Sequence, residues 1–366
     1  MNNVLQFRPI SLPQLTGPRP AHSRATQLPE VAPSVADGFE AAPLPSSKGL
    51  EWNQLVSTDA LRKATDAQRT WQQSPCVGLA DLASRYFSCA EFEALNSGHY
   101  HNSEHPLRVG EAVGGLAHGM GWSPERKLFM QQVALLHDAD DRSQMGSSEV
   151  RVGTPARVQV TLEWMEQQKD TLCQRMGWNP EQHLEAKALI ARSDFPFDDK
   201  PRQSMGTAFD GQSPLQVYRH LLEQLPEQRR SAVMQDALAL RFADQVGCYS
   251  ADFDTAVNSV QGLAKEIHLP LSGALKNTPS FLSQVGQDTE FDQGLAQELK
   301  VAADLPGQSQ LMAAFEPQQR KNLTDNIRLF EWLGQALEVV PADQVESQLP
   351  SLQATALSCQ RFALGR

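Results

Sequence analysis

The sequence is short of positive charge: 32 Lys and Arg stand against 43 Asp and Glu, for a formal net charge of −11. A sequence-independent grip on nucleic acid needs clustered Lys and Arg, so no binding to a nucleic acid backbone is expected. Cysteine is scarce too. The five (Cys76, Cys89, Cys173, Cys248 and Cys359) are odd in number and never spaced CxxC. That excludes a disulfide framework and reads as reduced thiols of the cytoplasm. No run approaches the ~18–20 apolar residues of a membrane-crossing helix. No basic start leads into an apolar core, so no cleaved signal peptide is expected. Also missing are a Gly-rich phosphate loop, a Rossmann fingerprint, a Ser-His-Asp order and a repeat of fixed period. What is left is a chain of 366 residues, 40% hydrophobic and 20% charged. It is long enough for one large core and a second unit.

Three regions follow from the patterning. Residues 1–50 hold eight of the 23 prolines among Ser, Ala, Gln and Thr, a density that no helix or interior strand survives. They read as a disordered Pro-rich leader: either a dispensable tail, or a segment that docks a partner or directs export without being cleaved. From residue 51 the apolar residues fall at helical spacing, through Trp52, Leu55, Leu61 and Trp71, then Leu79, Leu82, Tyr86, Phe87 and Phe92. The fold class predicted is all-α, with no sheet of more than two strands. Residues 51–270 carry the chemistry. Residues 271–366 continue the helical pattern without it, as an extension packed on the preceding domain or as a homodimer surface.

The chemistry lies in three pieces. The first is Tyr100-His101-Asn102-Ser103-Glu104-His105, the second Leu135-Leu136-His137-Asp138-Ala139-Asp140-Asp141, the third Arg241-Phe242-Ala243-Asp244-Gln245. A helix opening at Asn102 or Ser103, with Pro106 in its first turn, puts His105 on one face with Val109, Ala112, Val113 and Leu116. His101 falls a turn earlier, at the mouth of that helix, where it could cap, hydrogen-bond a neighbour or give up a proton. Ser123-Pro124 reads as an N-cap and first helical residue. The next helix brings Phe129, Val133, Leu136 and His137 to one side. Asp244 continues a third apolar stripe, where a carboxylate is costly without a salt-bridging Arg or a metal. A His, an adjacent His-Asp pair and an Asp can close around a divalent ion. Imidazole nitrogen with carboxylate oxygen suits Mn, Fe, Co, Ni or Zn.

The order His105, His137-Asp138, Asp244 resembles the HD superfamily of metal-dependent phosphohydrolases, over about residues 75 to 265. The Tyr100–His105 motif looks like that of the class I cyclic nucleotide phosphodiesterases and of small bacterial HD phosphohydrolases. The resemblance implies an HD-type helical bundle and one or two divalent ions, Mg among them, held by His105, His137, Asp138 and Asp244. It implies His101 as general acid, with Asp138 also in the catalytic set, and a small phosphorylated substrate such as a nucleotide. Asn102, Asp141, Asp194 and Gln245 are further candidates for orienting ligands or touching substrate. Asp194 is equally a turn or cap residue. Asp141 stands where the phosphodiesterases have a second His. Ser283-Gln284-Val285-Gly286 lacks the aromatic three residues on that holds a purine in those enzymes, since Gln287 occupies the place. Hydrolysis of a phosphate ester by metal-activated water is therefore the leading expectation. Cyclic nucleotide hydrolysis, a non-catalytic nucleotide-binding module and a delivered interaction protein are the alternatives. A phosphate also needs cations nearby; Arg108, Arg142, Arg151, Arg157, Arg192 and Arg241 fall near the motifs, most of them reading as solvated helix-face charges with none singled out. Gly206 to Ser213 reads as a surface loop or a lid.

Overall fold

A serine or asparagine followed by proline opens three of the helices. Ser123, Asn179 and Ser213 are extended at their N-caps, each accepts a backbone N–H three residues on, and each is followed by a proline in the first turn. The cap satisfies a donor that has no partner within the helix, and proline removes another. For Ser123-Pro124 this is the expected start. The structure, a computed structural model, describes residues 76–96, 98–139, 157–201, 208–287 and 289–363. The leader over 1–50, Asp141, Arg142, Arg151 and part of the 206–213 loop lie outside the described residues.

Among the described residues there are fifteen α-helices and no strand, as the apolar spacing predicts. They are α1 (Val77–Ser84), α2 (Cys89–Leu95), α3 (Glu104–Leu116), α4 (Pro124–Leu136) and α5 (Arg157–Gln167). Then come α6 (Lys169–Met176), α7 (Pro180–Arg192), α8 (Pro214–Gln224), α9 (Glu227–Val246) and α10 (Phe253–Glu266). The last five are α11 (Leu271–Gln284), α12 (Glu290–Glu298), α13 (Gln308–Ala314), α14 (Pro317–Ala336) and α15 (Val345–Ala363). Helix α3 packs along α4, and α9 crosses both α3 and α7. The face of α3 read from the sequence is buried as expected: His105 is 1% exposed, and Val109, Ala112, Val113 and Leu116 are fully covered.

The helices after residue 270 share this core rather than forming a second one, which runs continuously from Cys76 to Ala356. Two glycines explain how closely they approach. A Cβ on Gly119 would lie 2.3 Å from the Cα of Ala314, and one on Gly115 would overlap the Gln319 side chain. At Gly119 the neighbour is backbone, so glycine is what lets α13 sit on the end of α3; nearby, Glu316 N–H donates to Gly115 O at 3.1 Å. A buried ionic cluster ties α4, α7 and α9 together. Arg126 reaches both Glu185 and Asp236, and Trp122 Nε1 donates to Asp236 at 2.7 Å.

Candidate metal centre

Each of the four expected ligands sits where a helix begins, ends or crosses a neighbour. The amide of Asn102 opens α3: its Oδ1 accepts the N–H of Glu104 at 3.0 Å and of His105 at 3.3 Å. This holds His105 in the first turn. His137 is the C-cap of α4, and its Nδ1 donates to Ala134 O at 2.7 Å, satisfying one of the carbonyls a helix end leaves open. Asp138 follows directly. Asp244 projects from α9 where that helix crosses α3.

The four side chains converge as expected, each offering an atom within 4.8 Å of the others. His105 Nε2 is 3.2 Å from His137 Nε2, 3.1 Å from Asp244 Oδ1 and 3.1 Å from Asp138 Oδ2. His137 Nε2 is 2.9 Å from Asp138 Oδ2 and 3.3 Å from Asp244 Oδ1. Ligands on bonds of ~2.1 Å lie ~3.0 Å apart around an octahedral ion and ~3.4 Å apart around a tetrahedral one. Four of the five separations given above fall in that interval, and the fifth, His137 Nε2 to Asp138 Oδ2 at 2.9 Å, lies just below it. A carbonyl can only accept, so Ala134 O fixes the His137 proton on Nδ1 and leaves the neutral ring's Nε2 lone pair facing the carboxylates. Two carboxylates directed at two imidazole nitrogens need either protons or a cation between them. The donor set therefore fits a divalent ion, whose charge the two carboxylates neutralise; the identity of the ion is not specified by these donors.

The charges respond strongly to one another. Burial disfavours the charged imidazoles, but the carboxylates outweigh it: His137 is raised to about 9, chiefly by Asp138, and His105 stands well above its ordinary value through Asp138 and Asp244. Burial acts on the carboxylates in the opposite sense, and again loses. The imidazoles hold Asp138 well below the usual carboxylate range and depress Asp244 as well. Solvent reaches the group from one side, because the side chains of His105 and His137 are at most 1% exposed while those of Asp244 and His101 are 20% and 22% exposed.

His101 faces the cluster from that open side without joining it. Its Nε2 is 3.7 Å from Asp138 Oδ2, and its Nδ1 is 2.5 Å from Glu266 Oε1. Glu266, the last residue of α10, was not foreseen. It is 1% exposed, and its other oxygen accepts the backbone N–H groups of Tyr100 at 2.7 Å and His101 at 3.2 Å. One carboxylate thus fixes both the loop and the ring. Gly262, one turn earlier on α10, lets the loop approach: a Cβ there would lie 2.7 Å from His99 O. The Tyr100 ring packs against His105 and His101, with centroids 4.6 and 4.8 Å away. A cleft of about 140 Å³ beside His105 is lined by Cys248, Arg108 and Asn258 but by none of the other three donors, so it lies on the far side of that ring.

The remaining candidates are placed differently. Asn102 uses its side chain on α3 and, through Nδ2, on His99 O. Asp194 is buried, and its carbonyl accepts Arg241 Nη1 at 2.8 Å. Gln245 is half-buried beside Asp244, with its Oε1 enclosed and without a hydrogen-bond partner among the described residues. Three of the arginines near the motifs are buried and engaged: Arg108 by Glu104 and Glu111, Arg192 by Asp292, Arg241 by the carbonyls of Ser193 and Asp194. No family model, curated protein or solved structure matches this chain. Among the described residues, no helix is long and apolar enough to cross a membrane.

Proposed function

We propose that this protein is a metal-dependent phosphohydrolase of HD type that cleaves a phosphate ester of a nucleotide or related small molecule. One observation carries the reading: four donors, three buried and Asp244 partly exposed, close on a single point while a fifth side chain, His101, faces them from the solvent side with its ring held from behind by Glu266. A divalent ion supplies Lewis acidity to a phosphoryl oxygen and lets water act as a nucleophile near neutral pH. His105, His137, Asp138 and Asp244 would hold it, and the low exposure of both imidazoles would keep competing water from that side. The reaction adds water across a P–O bond, leaving a phosphate and an alcohol.

The alcohol oxygen needs a proton as it departs, and His101 is built to give one. Glu266 Oε1 accepts from Nδ1, which directs Nε2–H into the site and favours the imidazolium from which the proton is given. The two backbone bonds from Tyr100 and His101 to the same carboxylate fix the ring's distance from Asp138. Asp138 serves as ligand and, 3.7 Å from His101 Nε2, as the charge that keeps that proton nearby. The test is metal content and turnover together. The wild type is expected to bind one or two divalent ions and to hydrolyse members of a panel of nucleotides, cyclic nucleotides and a generic phosphodiester with Mn, Mg, Ni, Co or Zn. Asp138→Ala is expected to lose both metal and activity while remaining helical. Full metal content and turnover in that variant would place the site elsewhere. Metal bound by the wild type without turnover on any ester would favour a nucleotide-binding module instead.

A further inference from the structure

An imidazole that ligates a metal is oriented by what its other nitrogen touches, and loss of that contact costs ~10–100-fold in affinity. His137 finds this contact within its own helix. His105 does not: its Nδ1 faces Cys248 Sγ at 3.7 Å, and both residues are buried. Sulfur is a weak acceptor, so the contact depends on how firmly the thiol is held.

What holds it comes from the far end of the chain. Gly247 allows α9 to end hard against α3, since a Cβ there would lie 3.1 Å from Arg108 O. A 3-10 turn, Cys248–Ser250, follows. Three successive carbonyls, from the last two residues of this turn and from Ala251 after it, point at α14. Asn326 Nδ2 donates to Tyr249 O at 2.8 Å and to Ala251 O at 3.0 Å, and Asn322 Nδ2 donates to Ser250 O at 3.1 Å. Asn326 is 3% exposed, so its amide would be costly to bury without those carbonyls. The Tyr249 ring packs on Phe330 of α14 at 6.2 Å. A continuous path of contacts thus runs from α14 through the turn to the back of His105.

We propose that Cys248 is a positioning residue for His105 and that Asn326, by gripping the turn, sets Cys248 in place. The C-terminal helices are then part of the metal centre. This rests on the metal-binding reading above and adds to it a role for residues beyond 270. The full-length protein, freed of metal, is titrated with cobalt(II), followed by its visible d–d absorption and by competition with a chelator. Thermal midpoints of the metal-free proteins are measured alongside. Cys248→Ser keeps an acceptor and gives up volume; Cys248→Val keeps the volume and gives up the acceptor. The expected order of cobalt affinity is wild type, then Cys248→Ser close behind, then Cys248→Val weaker by ~10–100-fold. Asn326→Leu is expected to weaken cobalt to a similar degree. The double variant Cys248→Val/Asn326→Leu should be no weaker than the poorer single within about threefold, because residues acting through one path are not additive. If Asn326→Leu does not fold, Asn322→Leu, which removes the bond to Ser250 O and an exposed bond within α14 from Gln318 Nε2, is expected to weaken cobalt several-fold.

The reverse order for the two Cys248 variants, or midpoints that fall while affinities stay equal, overturns the positioning role. An ultraviolet thiolate-to-cobalt charge-transfer band overturns it too, since Cys248 would then be a ligand itself. Asn variants that fold and bind cobalt like the wild type overturn the part assigned to α14. A wild type that binds no cobalt overturns the metal reading, and this inference with it.

Discussion

Loading the centre should release two protons per ion at pH 7. In the metal-free protein the two carboxylates hold His105 well above its ordinary value and His137 up to about 9. A group titrating near 9 is roughly 99% protonated at pH 7, so the His137 ring carries an extra proton. His105, raised well above its ordinary value by the same carboxylates, carries one too, and each must leave before Nε2 can bind an ion. The exchange conserves charge in a buried place: two protons, balancing Asp138 and Asp244, give way to one divalent cation. Isothermal titration with the preferred ion in buffers of different ionisation enthalpy reads the number directly, as the slope of apparent heat against buffer enthalpy. Affinity should weaken by about 100-fold per pH unit as pH falls through this range, the consequence of two linked protons. Stability follows in the same terms. A raised imidazole contributes fully below its unfolded value of ~6.5 and loses that contribution as pH rises through its folded value. The depressed carboxylates contribute above ~3.9 and lose their share as pH falls. The metal-free protein should therefore lose thermal stability between about pH 6.5 and 9, whereas the loaded protein should not. Stoichiometric binding at pH 7 with no proton release would refute the reasoning, because the rings would then have been neutral beforehand.

Other outcomes follow from single contacts. His101→Ala should keep metal and lose ~10²–10⁴-fold in turnover on an ester with a poor leaving group. The loss should shrink on a nitrophenyl ester, whose oxygen departs without a proton; equal losses on both esters would count against proton donation. Gly262→Ala forces His99 and Tyr100 away from α10 and should cost ~1–3 kcal/mol of stability as an overpacked contact. Because Glu266 lies one turn along the same face, the displacement should lower turnover more than it lowers metal affinity, which parallel kinetics and titration would separate. Asp292→Ala leaves the fully buried Arg192 guanidinium without its bidentate partner. It should cost ~3–5 kcal/mol in urea unfolding, and a change under 1 kcal/mol would mean that the guanidinium finds water or another acceptor.

The residues that could be read from the sequence and those that could not differ in what they cost. His105, His137 and Asp244 sit on apolar helical stripes, where a polar group is expensive and so stands out; Asn102 and Ser123 sit where a helix must begin. Those positions announce themselves locally. Glu266 follows Lys265 at the end of an amphipathic helix and looks like any solvated acid. Only the fold brings it to the backbone of Tyr100 and His101, far off in the chain. Asn326 lies among Lys321, Asp325 and Arg328 in a polar run, and nothing in that run marks it as facing two carbonyls. Arg192 fell under the same limit from the other side: its place near a motif left open a solvated helix-face charge or a phosphate partner, while the structure buries it against Asp292. Cys248 has the size and polarity of a core residue, and its contact with a histidine ring exists only because Gly247 brings α9 against α3. Groups that answer a distant backbone or a distant charge leave no periodic trace, because periodicity records which way a side chain faces and says nothing of what it meets there. In this protein the donors that would hold the ion belong to the first kind, and the side chains that would aim them belong to the second.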